Sequence, residues 1–188
     1  FHEFGHALHG LLSQCTYNKV SGTSVPRDFV ELPSQIMENW AADPEVLKVY
    51  ARHYKTGEPI PQELIDKLEN SGHFNQGFVT TEFMAAALLD MAYHTRNTTD
   101  PVNPNEFEKA TLEKIGLIPE ITVRYRSPYF QHIFAGGYSS GYYAYTWAEV
   151  LDADAFEAFK ETGNIFNPEK AKAFRENILS KGGSEDAM

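Results

Sequence analysis

Phe1-His2-Glu3-Phe4-Gly5-His6-Ala7-Leu8-His9-Gly10 opens the chain, and its spacing sets what the remaining residues must support. Side chains four apart on a helix stand one turn above each other on the same face, so His2 and His6 converge. Two convergent imidazoles make half of a tetrahedral zinc site. Glu3, one step round the helix, can take a proton from a water at the metal. Phe4, Ala7 and Leu8 predict that this helix is buried. A five-residue pattern with three fixed positions also arises by chance in unrelated chains, so the pattern calls for a third ligand.

An extended zinc motif would place Gly at position 9 and His at position 12, but His9 and Leu12 stand there. What remains is a carboxylate from a second helix. The next acids are Asp28, Glu31 and Glu38, within Arg27-Asp28-Phe29-Val30-Glu31-Leu32-Pro33-Ser34-Gln35-Ile36-Met37-Glu38-Asn39-Trp40. Phe29, Ile36, Met37 and Trp40 give this run an apolar face. Glu31 lies among apolar neighbours without a nearby lysine, a costly place for a charge unless it is paired or bound to metal. It could equally be a half-exposed residue at a helix start, with Asp28 as the N-cap. Pro33 is tolerated only in a first turn, which puts Glu31 close to the start of the helix.

Composition narrows the class. The chain has 188 residues, 42% hydrophobic and 22% charged, enough for one domain with a core of its own. A net charge of −10 argues against nucleic acid, whose phosphates require basic surface. The single cysteine, Cys15, excludes an internal disulfide and reads as a small buried hydrophobe. No apolar run reaches membrane-spanning length and no signal peptide is visible. A cytoplasmic protein is the expectation. A ligand-bearing helix that starts one residue before its first ligand would fray, so a longer chain on the N-terminal side is expected too.

Helices are expected throughout. The first runs to about Gln14, followed by an irregular Thr16–Pro26 stretch with room for a short strand. Asp43-Pro44 opens a helix with Val46, Leu47, Val49 and Tyr50 inward. Pro61 to about Asn70 buries Leu64, Ile65 and Leu68. Glu82 to His94 is apolar nearly all round and predicts the central buried helix. Pro104 opens another that stops at Gly116. Two scaffold helices close the chain, one through Ala155, Phe156 and Phe159. The other is capped by Asn167 and buries Ala171, Phe174 and Ile178. His9, His53, His73 and His94 belong to no motif.

A second chemical constellation spans Arg126-Ser127-Pro128-Tyr129-Phe130-Gln131-His132-Ile133-Phe134-Ala135-Gly136-Gly137-Tyr138-Ser139-Ser140-Gly141-Tyr142-Tyr143-Ala144-Tyr145-Thr146-Trp147. If helix begins near Tyr138, then Tyr138, Tyr142 and Tyr145 share one face. Tyr143, Trp147 and Leu151 share another and read as core. A phenol can steady an oxyanion without adding charge, though aromatic rows at helical spacing are more often core. Gly136-Gly137 lets the backbone approach a ligand closely or hinge over it.

His2 to His9, together with Ser21-Gly22-Thr23 through Trp40, resembles the zinc peptidases of the thimet oligopeptidase family (M3), and most of all its peptidyl-dipeptidase branch, Dcp. The resemblance extends over most of the chain. It implies a mainly α, zincin-like catalytic domain over residues 1–188, the C-terminal part of a larger helical peptidase. It also implies one zinc ion held by His2, His6 and Glu31, the Glu of an Asp-Phe-Val-Glu-x-Pro-Ser-Gln motif, with Glu3 as general base and short peptides as substrates. From the family's His-x-x-x-Gly-Gly-Tyr segment it implies that His132, Tyr138, Tyr142 and Tyr145 bind substrate. Tyr138 or Tyr145 would then donate to the tetrahedral intermediate, and Asp28 or Glu38 could orient a ligand histidine. The six-residue step from His132 to Tyr138 matches the dipeptidase branch and favours release of C-terminal dipeptides, for which Arg124 and Arg126 are candidate anchors of the substrate carboxylate. An endopeptidase of the oligopeptidase A type stays open. So does a truncated, inactive binding module.

Overall fold

Capping residues set three of the helix starts. Asp43, Asn103 and Asn167 each precede a proline, and each turns its side-chain oxygen onto the backbone N–H groups of the first turn. The computed structural model describes residues 1–187. Its helices are α1 (His2–Leu11), α2 (Leu32–Ala42), α3 (Pro44–Tyr50), α4 (Gln62–Ser71), α5 (Gln76–His94), α6 (Pro104–Lys114), α7 (Gln131–Phe134), α8 (Ala144–Lys160) and α9 (Pro168–Phe174). Among the described residues there is no strand, only an isolated bridge between Arg52 and Pro59. No helix among the described residues is long and apolar enough to cross a membrane. The protein is mainly α, as its sequence implies.

The chain divides into two compact units, the boundary falling within α4. One comprises Phe1–Lys67 and the chain from Ala144 onward, the other Leu68–Tyr143. In the first, α2 is the spine, packing against α1 on one side and α8 on the other. Ile36 is fully buried there. Trp40 stacks edge-on against Phe156 and Phe159 of α8, and its indole N–H donates to the Ile165 carbonyl. The last turn of the chain closes against the loop after α1: the Gly183 N–H donates to the Val20 carbonyl at 2.7 Å. A Cβ on Gly182 would fall 2.5 Å from that same oxygen. In the second unit, Ala85 and Leu89 of α5 pack with Val123, flanked by Tyr93, Phe107, Leu112 and Leu117.

Several local expectations give way. α1 ends at Leu11, and the Thr16–Pro26 stretch holds a 3-10 turn at Asn18–Val20 in place of a strand. The buried side of α1 carries Gly5 and His9, while Phe4 is 57% exposed, because α2 approaches over the glycine. Val49, Tyr50, Leu64 and Leu68 are exposed, so α3 and α4 bury one residue each, Leu47 and Ile65. α5 begins earlier, at Gln76, and buries only one face; Met84, Leu88 and Met91 remain exposed. A helix apolar all round carries no periodicity to say which face is covered. The helix expected from Tyr138 starts instead at Ala144, with turns before it and Ser140 at a positive φ of 56°. Tyr138, Tyr142 and Tyr145 therefore share no helix face. Tyr143 and Trp147 are exposed, not core.

Candidate metal centre

Glu31 is the residue that makes α2 more than scaffold. It occupies the N-cap position, with Pro33 in the first turn, and its side chain is buried to 2% exposure. The Ser34 hydroxyl sits 2.9 Å from the Glu31 backbone carbonyl and 2.8 Å from its carboxylate Oε2, which fixes the rotamer. That Oε2 lies 3.4 Å from Nε2 of His2 and 3.2 Å from Nε2 of His6. The two imidazoles stand edge to face, 5.1 Å between centroids, as expected for i,i+4 residues on α1. Ligand-type atoms of all three residues fall within 4.8 Å of one another.

The separations fit a metal. Bonds of about 2.05 Å to a tetrahedral zinc give ligand–ligand edges of about 3.3 Å, close to the two distances from Glu31. The donor set of two imidazoles and one carboxylate is the open, catalytic kind, leaving a fourth position. A buried carboxylate facing two histidines also needs a positive charge. Here the hydrogen bond that the His6 imidazole donates to the Glu31 carboxylate holds His6 above its ordinary pKa, against the opposing effect of burial.

What lets α2 come so near is Gly5. A Cβ there would lie 2.2 Å from the Pro33 carbonyl oxygen, so any side chain would push the Glu31 end of α2 away from the histidines. Behind His2, Nδ1 pairs with Glu38 Oε1 at 2.6 Å, an outer contact of the type that orients a ligating histidine. The corresponding Nδ1 of His6 is buried and, among the described residues, has no hydrogen-bond partner. Glu3 is exposed on the same helix. Tyr145 belongs to the same unit, in the first turn of α8, its backbone carbonyl held by Gln35 Nε2 at 3.2 Å.

His132, Tyr138 and Tyr142 belong to the other unit. There His132 is ringed by aromatics, with centroids of Tyr125 at 4.8 Å, Tyr142 at 5.6 Å, Tyr138 at 6.1 Å and Phe130 at 6.2 Å. Tyr142 is 1% exposed, and desolvation pushes its phenol up to about 12. Tyr138 is half-buried. Gly136 permits the tight return of the chain over α7: a Cβ would fall 2.8 Å from the His132 Cα. Arg126 is drawn into an ion pair with the buried Glu108, whereas the Arg124 guanidinium lies over the Tyr125 ring at 5.5 Å.

Two acids escaped the sequence reading. Asp90, fully buried in α5, accepts the backbone N–H groups of Ser140 and Tyr142, and Glu108, buried in α6, accepts that of Ser127. The signal for Asp90 was present: a lone carboxylate inside an apolar helical run requires a partner. His9 is also fully buried, with both ring nitrogens lacking hydrogen-bond partners. Burial and the neighbouring His6 lower its pKa.

The family model for Peptidase family M3 matches residues 1–188. Dipeptidyl carboxypeptidase of Escherichia coli (strain K12) is 48% identical over 188 residues, covering 99% of this chain and 28% of the relative. Oligopeptidase A of the same organism is 45% identical over 190 residues, covering the whole chain and again 28% of the relative. An organellar oligopeptidase A of Arabidopsis thaliana is 40% identical, with 98% of the chain and 24% of the relative covered. The chain thus spans about a quarter of the length of these relatives.

Proposed function

The chain belongs to Peptidase family M3, and from that premise we propose that it carries the zinc-binding hydrolytic centre of a longer peptidase acting on short peptides. The observation that carries this reading is the convergence of His2 Nε2 and His6 Nε2 on the buried Glu31 Oε2, at 3.4 and 3.2 Å. Those three residues would hold one zinc ion, with Glu38 orienting His2. When bound, the ion supplies a Lewis acid for the scissile carbonyl and acidifies a water towards neutral pH.

Glu3 serves as the general base, taking a proton from the attacking water and returning it to the leaving amine. Its exposure on α1 leaves its carboxylate accessible. Tyr145, in the unit that carries the three ligands, is assigned first as the phenol that donates to the developing oxyanion, with Tyr138 second. His132 and Tyr138 position the peptide. Tyr142, whose ring is buried, supports His132 rather than touching substrate.

The finer reading is release of C-terminal dipeptides, supported by the six-residue step from His132 to Tyr138 and by the likeness to a relative named dipeptidyl carboxypeptidase. Arg124, not engaged by Glu108 as Arg126 is, is the preferred anchor for the substrate carboxylate. Endopeptidase action is the second reading, favoured by the nearly equal likeness to oligopeptidase A. The test is cleavage of a quenched-fluorescence peptide by the full-length protein, with a free or an amidated C-terminus. Loss of cleavage on amidation supports the dipeptidase, equal cleavage the endopeptidase. No cleavage of either peptide by zinc-loaded protein would remove the hydrolytic reading.

A further inference from the structure

Between Arg126 and Tyr142 the chain makes α7 and the Gly136-Gly137 turn, and two buried carboxylates hold it at its two ends. At the far end Asp90 Oδ1 accepts the Ser140 N–H at 3.0 Å and Oδ2 accepts the Tyr142 N–H at 2.9 Å. The same carboxylate pairs with His94 Nδ1 at 2.7 Å. At the near end Glu108 Oε2 accepts the Ser127 N–H at 2.7 Å and its hydroxyl at 2.8 Å, while Oε1 pairs with Arg126 Nε. Asp90 stands on α5 and Glu108 on α6, helices locked side by side by Tyr93 on Phe107, with centroids 4.4 Å apart.

A buried carboxylate is costly unless each oxygen is satisfied. Each acid accepts from the backbone of one segment, Asp90 from Ser140 and Tyr142 and Glu108 from Ser127, and charge-assisted bonds of this kind are about twice as strong as neutral ones. Ser140 is held at a positive φ of 56°, a conformation that a serine keeps only when its surroundings fix it. We propose that Asp90 and Glu108 are positioning residues that pin the two ends of the Arg126–Tyr142 segment and thereby set where His132 and Tyr138 meet the peptide. The α5–α6 pair is the rigid frame and the segment is suspended from it. This inference rests on the reading that His132 and Tyr138 handle substrate.

The experiment uses full-length protein with Asp90→Asn, Asp90→Ala and, at the other end, Glu108→Gln. Amide hydrogen exchange over residues 126–142, zinc content, and kcat and KM on the quenched peptide are measured together with Tyr138→Phe. The expected result is exchange at least tenfold faster in this segment, graded Ala above Asn, with α1 and α2 and the zinc content unchanged. The loss of tenfold or more in kcat/KM should lie mainly in kcat. Unchanged exchange in both Asp90→Asn and Glu108→Gln would overturn the proposal. So would a loosening spread equally through α5 and α6, which marks a core residue rather than a pin. If the segment loosens and kcat holds while Tyr138→Phe is impaired, the pins are not positioning residues. If the segment loosens and Tyr138→Phe is also fully active, the pins stand structurally and the substrate role of the segment is what fails.

Discussion

Gly5 and Ser34 face each other so closely that a Cβ on Gly5 would stand 2.5 Å from the Ser34 Cα. The contact is backbone against backbone, so no side-chain rotation relieves it. Gly5→Ala should separate α1 from the start of α2 and cost about 1–3 kcal/mol, the usual penalty of overpacking. Glu31 would move with α2, and zinc content should fall well below one per chain. A thermal melt alongside elemental analysis checks both. An alanine variant with full zinc would show that α2 tolerates the shift.

Glu31→Ala and His2→Ala should each abolish stoichiometric zinc while the helices persist, read by elemental analysis and far-UV circular dichroism. Glu38→Ala removes only the partner of His2 Nδ1. It should weaken zinc affinity by about 10–100-fold, the range seen when the outer partner of a ligating histidine is lost. Competition with a chromophoric chelator measures it. Zinc retained by Glu31→Ala would redirect attention to Glu38 as ligand.

Glu3→Gln is the converse case. Zinc should stay at one per chain while kcat falls by about 10²–10⁴-fold, the contribution of a positioned general base. Comparable loss of metal and of rate would make Glu3 part of the binding site.

Tyr142 offers a pH test. Burial pushes its phenol from an ordinary 10.0 up to about 12, so the folded state favours the protonated form. The stability this supplies is fully present below about pH 10 and lost as pH rises through about 12. Absorbance at 295 nm should show a late tyrosine titration that is absent from Tyr142→Phe. A Tyr142→Phe titration identical to the wild type would place that ring in water.

Three helix starts were legible because Asp43-Pro44, Asn103-Pro104 and Asn167-Pro168 carry their capping chemistry within four residues. The three-residue cluster was legible in part: the i,i+4 histidines follow from helical geometry, while Glu31 needed the resemblance to stand out from Asp28 and Glu38. The tyrosine segment was misread as helix because its conformation is set from 50 residues away, by Asp90 accepting from Ser140. Burial was misjudged on α3, α4 and α5 for the same reason. Which face is covered depends on the neighbour, and periodicity names only the candidates.

α2 performs three tasks along one cylinder. Glu31 faces the histidines, Gln35 holds the Tyr145 carbonyl and Glu38 braces His2. One inserted or deleted residue would turn everything beyond it by about 100°, disconnecting brace and tyrosine from the ligand in a single event. Substitutions can vary these tasks one by one, but length changes cannot. The stretch from Glu31 to Glu38 should therefore behave in evolution as an indivisible cassette, free to change letters yet closed to indels.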